Sequence, residues 1–186
     1  MKYKYGDVIV PNGKSGDCEV SDVVVSKLQS VMSSRNGAIY HCPAGTYKRL
    51  TYNGSCIMSN TPMELATNSE FVHRAKGHVH ISGLGLGIVL LAVLMKPKVE
   101  SVTVVEKSKD VIKLVAPSFA KFKNLTIIHG DALTYKPPAR KKFGAVWHDI
   151  WNDVCSDNLA DMKLLHRRWG RKTEWQGSWS RDLIRD

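Results

Sequence analysis

Between positions 82 and 87 the chain reads Ser-Gly-Leu-Gly-Leu-Gly, with an apolar run before it and a longer one after it. Glycines in a strand-to-helix turn let the backbone bend sharply and approach a ligand closely, and the amides that open the helix have no acceptor within it. Gly83, Gly85 and Gly87 are therefore candidate ligand-binding residues. Counted from Gly85, the third glycine of a dinucleotide fingerprint would fall at Leu90, so the spacing is a different one. Glu106 closes the next apolar run about 20 residues on, where a carboxylate can accept hydrogen bonds from both hydroxyls of a ribose. Asp131, in Ile128-His129-Gly130-Asp131-Ala132, follows a third run. It places a carboxylate, with Ala132 beside it, at the edge of the same crevice, where an adenine amino group can be met.

These residues need a scaffold, and the sequence supplies its pattern. Apolar runs at 78–82, 99–105, 125–128 and 145–147 alternate with helical stretches at 86–95, 108–122 and 158–169, and a further run follows at 173–179. Such alternation marks a doubly wound, mostly parallel α/β sheet with right-handed crossovers. Upstream, Asn53-Gly54 lies between runs at 46–52 and 55–59, and Asn-Gly tolerates the positive φ angles of a tight hairpin turn. Thr61-Pro62-Met63-Glu64 combines a capping hydroxyl, a proline suited to the first helical position and a glutamate placed to close a capping box, so a helix is expected over 62–76, ended by Gly77. The first forty residues carry weaker signals, a strand at 7–10 and a helix over 22–32. The division that follows is an N-terminal extension with a β-hairpin over 1–60 and a ligand-binding domain over 61–186.

The glycine loop, Val104-Val105-Glu106, His129-Gly130-Asp131-Ala132 and Ala145-Val146-Trp147-His148-Asp149, in this order over residues 77–151, resemble the class I S-adenosylmethionine-dependent methyltransferase superfamily. The hairpin leading through a helix into Ile81-Ser82-Gly83-Leu84-Gly85 resembles its spermidine synthase branch. The resemblance implies a Rossmann-like fold with S-adenosylmethionine, or its decarboxylated form, across the C-terminal strand ends. Gly83 to Gly87 would lie under the donor, Glu106 on the ribose and Asp131 on the adenine. Asp149, one residue past the fourth apolar run, would then stand beside the sulfonium and take a proton from an amine nucleophile. His148, Trp151 and Asn152 are candidates for the acceptor side. The pattern departs from spermidine synthases at Asp149 and Asp153, which stand four apart with Val154 following, where that branch has a spacing of three and a proline. The superfamily's terminal antiparallel strands have too few residues after Trp179 to form.

The activity this implies is transfer from S-adenosylmethionine, as a methyltransferase on a small or amine-bearing acceptor. The alternatives are aminopropyl transfer and an adenosyl-binding module without turnover. The formal charge of +10 makes nucleic acid a possible partner, but no aromatic-interleaved motif accompanies the basic clusters, so a solvated basic surface is the favoured reading. The hairpin is a candidate for homodimer assembly. No apolar run is long enough to span a bilayer and the N-terminus has no signal-peptide stretch, so a cytoplasmic setting away from membranes is expected. Cys18, Cys42, Cys56 and Cys155 have neither metal-ligand nor disulfide spacing, so no metal is expected.

Overall fold

A computed structural model describes residues 3–34 and 41–184 of the chain. It contains two sheets. The first is antiparallel, in the order β1 (Gly13–Ser15), β2 (Cys18–Val25), β3 (Gly45–Tyr52) and β4 (Ser55–Ser59). The hairpin turn at Asn53-Gly54 has φ of 48° and 79° at its two residues, the conformation that this pair accepts most readily. The extension is thus larger than a hairpin. The helix expected over 22–32 gives way to strand as far as Val25, because Val23-Val24-Val25 is a β-branched run paired residue by residue with Tyr47, Thr46 and Gly45. Only Lys27–Ser34 is helical (α1). Residues 7–10 join no strand; a turn at Lys4 to Asp7 leads to the buried Val10.

The second sheet has five strands, all parallel, in the order β7 (Leu125–His129), β6 (Val99–Glu106), β5 (Gly77–Ser82), β8 (Ala145–His148), β9 (Gln176–Ser178). Among the described residues no antiparallel strand joins it, as expected from the sequence. Helices α2 (Pro62–Arg74), α3 (Ile88–Leu94), α4 (Lys109–Val115) and α5 (Asn158–Trp169) accompany it. The stretch read as one helix over 108–122 breaks after Val115 into a 3-10 turn, Ala116–Phe119, where Pro117 cannot supply the amide an α-helix needs.

Val10, Cys18, Val20 and Leu50 from the antiparallel part share one apolar core with Val79, Ile81, Leu90, Val104 and Trp147 of the parallel part. Helix α2 is fixed on β8 by a 2.9 Å bond from Trp147 Nε1 to Asn68 Oδ1 and by Phe71 stacked on Trp147 at 5.3 Å. The capping box does not form. Thr61 caps nothing with its side chain and sits 3.0 Å from Ser59 Oγ, while Glu64 is turned inward and buried.

Because every strand of the second sheet runs the same way, residues just before the strands share one end of the molecule and residues just after them share the other. Lys76, Lys98, Lys123, Lys142 and Lys172 precede the five strands, so the entry end is basic. The exit end is where the sequence placed its candidate site.

Candidate functional site

The strand order reverses at β5, since β6 and β7 lie to one side and β8 and β9 to the other. Parallel sheets open a crevice at such a switch point, beyond the strand ends. Gly83 leaves β5 and Asp149 leaves β8 on its two sides, tied by a 2.8 Å bond from Asp149 N to Ser82 O. Gly83 has φ of 95°, and a Cβ there would lie 1.9 Å from the carbonyl oxygen of Asp149, so only glycine allows the two chains this approach. A cleft of about 640 Å³ opens here, a size suited to a nucleoside-sized ligand.

The structure brings Gly83, Gly85, Glu106, Asp131, Ala132 and Asp149 round this one cleft, with Trp151 and Asn152. Gly87 lies behind them at the N-terminus of α3 with φ of 72°. Glu106 holds the loop: Leu84 N donates to its Oε2 and Ser108 N to its Oε1, both at 2.7 Å. A carboxylate has about four acceptor positions, so two backbone donors leave capacity for hydroxyls. Asp131 accepts from Leu133 N at 2.8 Å and pairs with Lys107 Nζ at 2.9 Å. Lys107 first and the Leu133 amide second hold its carboxyl below the ordinary range. Asp149 behaves oppositely. Burial raises its carboxyl well above the usual value, and Glu64 and Glu106 add to the rise.

Two expectations change. The helix-opening amides are not all free, because Leu86 N donates to the thioether of Met58 at 3.1 Å, and a Cβ on Gly85 would lie 2.2 Å from that sulfur. The antiparallel sheet therefore roofs the cleft, with Asp17, Cys18, Leu50, Tyr52, Ile57 and Met58 lining it. His148 does not face the acceptor side. It is fully buried, with Ser82 Oγ 3.0 Å from its Nδ1 and 3.2 Å from His80 Nε2, and burial holds both imidazoles neutral, His80 down to about 3.

Sequence reasoning missed Asp17, Asp110 and Asp161, which line the cleft, and Glu64 behind it. Asp17 arrives on the β1–β2 turn, which Ser15 Oγ docks against Asp110 at 2.7 Å. No linear spacing reveals such a docking. Asp17, Glu106, Asp110, Asp131, Asp149 and Asp161 face only Lys107 and Lys109 among the described residues that line the cleft, so it favours cations. Among the described residues no cluster suited to a metal ion is found, and no helix is long and apolar enough to cross a membrane.

No protein-family model matches the chain, and no curated protein matches it. Solved structures do. A crystal structure of the 23S rRNA methyltransferase ErmE is 17% identical with a TM-score of 0.48, over 61% of this chain and 45% of that one. A dimethyladenosine transferase from Plasmodium falciparum is 19% identical with a TM-score of 0.41, over 53% and 36%. Coclaurine N-methyltransferase bound to N-methylheliamine and SAH is 18% identical with a TM-score of 0.45, over 60% and 32%. The chain thus spans less than half the length of each of these three similar structures.

Proposed function

We propose that the chain is an S-adenosylmethionine-dependent methyltransferase acting on a small, amine-bearing acceptor. One observation carries this reading: a cleft at the switch point of a parallel sheet, floored by a glycine loop and walled by six acidic side chains. Such a wall suits a ligand that carries positive charge, and a sulfonium supplies both that charge and an electrophilic methyl group. The residues present fit the group. Gly83 and Gly85 let the loop lie close against Asp149 and Met58 at the cleft, Glu106 faces the cleft with acceptor capacity to spare, and Asp131 and Ala132 stand at the far strand end.

In this reading Asp149, in its ionised form, receives the proton that the amine must shed, and burial strengthens its hold on that proton. The basic entry end lies away from the cleft, which favours a small acceptor over nucleic acid at the reacting site. The antiparallel sheet over the cleft supports a spermidine-synthase-like ancestry, a homodimer through that sheet remains part of the proposal, and a cytoplasmic setting fits the free thiols.

Calorimetry with S-adenosylmethionine, its decarboxylated form and S-adenosylhomocysteine tests the donor site. The first and last should bind, and Gly85→Val should abolish binding by driving a branched side chain into Met58 and displacing the loop from the roof of the cleft. A folded wild type that binds none of the three overturns the reading. Product analysis then decides the reaction, since methyl transfer leaves S-adenosylhomocysteine and aminopropyl transfer leaves methylthioadenosine.

A further inference from the structure

Glu64 is a buried acid with unfinished hydrogen bonding. It sits in the first turn of α2 and is 8% exposed, and its Oε2 has no hydrogen-bond partner among the described residues. A buried carboxyl left short of partners costs stability unless something completes it. Its place follows from the helix. Helix α2 leads down to the entry end, so it runs antiparallel to β8, and the Trp147–Asn68 bond fixes the register between them. Glu64 is one turn before Asn68, about 6 Å along the helix. Asp149 is two residues beyond Trp147, about 6.6 Å along the strand in the same direction. The two carboxyl groups therefore come up at the same level on neighbouring elements, Asp149 lining the cleft and Glu64 behind it. Their closeness agrees with the rise of Asp149, to which Glu64 adds after burial, while burial lifts Glu64 itself to about 7 against the pull of the nearby Trp179 indole.

We propose that Glu64 and Asp149 form a two-carboxyl seat for the ammonium group of the acceptor, with Glu64 as a second amine-binding residue. The proposal rests on the amine-acceptor reading and adds to it a residue that acts from behind Asp149. A lone buried carboxylate would hold a cation in one direction only. Two on adjacent elements can accept two of the three ammonium N–H bonds, and the buried, unpartnered Oε2 of Glu64 supplies the second. When the ammonium gives one proton to the pair, the freed lone pair forms the new N–C bond, and the C–S bond breaks with its electrons passing to sulfur. The methylated amine departs as a cation.

The test uses the full chain, saturated with S-adenosylhomocysteine and titrated by calorimetry with n-butylamine at about pH 8, where the amine is a cation and Glu64 is largely ionised. Its neutral counterpart, 1-butanol, is titrated alongside. The wild type should bind the amine and not the alcohol. Glu64→Gln should weaken amine binding at least tenfold while S-adenosylhomocysteine affinity stays within twofold. Equal amine affinity in wild type and Glu64→Gln overturns the seat, as does a wild type that binds S-adenosylhomocysteine but not the amine. If S-adenosylhomocysteine itself fails to bind, the donor reading falls, and the amine titration of the free protein still decides the seat by the same comparison. Glu64→Asp, which keeps the charge but withdraws it by one methylene, gives an independent arm should Glu64→Gln fail to fold. It must also lose amine affinity, and unchanged binding in it counts against the seat.

Discussion

Carboxyl groups at and behind one cleft meet opposite conditions here. Asp131 keeps its charge because Lys107 and a backbone amide reach it, whereas Glu64 and Asp149 are pressed toward their neutral forms by burial. That difference sets a pH dependence with a definite sign. The contribution of Glu64 to stability is fully present below its ordinary value near 4.5 and is lost as pH rises toward about 7, because the unfolded chain releases this proton first. The loss is on the order of 3 kcal/mol. Asp149 acts in the same direction. The buried neutral His80 and His148 act in the other, losing stability as pH falls below the usual 6.5 toward the low value of His80, about 3. Denaturant unfolding of wild type and Glu64→Gln at about pH 5 and about pH 8 should show the variant gaining stability at the higher pH and little at the lower. Parallel behaviour at both would mean that the Glu64 carboxyl ionises freely. Gly83, Gly85, Glu106, Asp131 and Asp149 were legible from sequence because each stands at a strand end, and strand ends can be found from apolar runs. Glu64 was not, since the spacing that marks a capping box is indifferent to whether the side chain turns back to the cap or into the core.

At the scale of elements, α2 carries more of the site than its distance from the glycine loop suggests. Its register on β8 depends on one buried bond, Trp147 Nε1 to Asn68 Oδ1, and Asn68 also returns a bond from its Nδ2 to Glu64 O at 2.9 Å. Asn68→Ala leaves the buried indole N–H without an acceptor and should cost about 1–3 kcal/mol of stability. A double-mutant cycle with Trp147→Phe isolates the pair, and simple additivity of the two single losses would show that the bond does not fix the helix. The elements of the parallel part were largely legible, because periodicity changes cleanly between strand and helix there. The extension was less so. Val23, Val24 and Val25 satisfy a helical spacing with the residues after them, and only pairing with β3, a partner some twenty positions away, makes them strand.

Across the whole molecule, charge is sorted by the parallel sheet itself. Each of the five strands begins after a lysine, and the cleft at the other end is walled by aspartate and glutamate. A formal charge of +10 alone would repel a cation, yet the charge nearest the cleft has the opposite sign. The chain thus carries a molecular dipole whose negative pole is the mouth of the cleft, and an approaching cation is turned and drawn toward it before any contact is made. Such steering acts on the encounter rate, and added salt screens it within about 10 Å at 0.1 M. Stopped-flow tryptophan fluorescence should therefore find that the association rate of S-adenosylmethionine, which carries a net positive charge, falls steeply as ionic strength rises. The rate for S-adenosylhomocysteine, which carries none, should hardly change, and an equal salt response from the two ligands would mean that the basic end, rather than the acidic mouth, governs what the protein meets in solution.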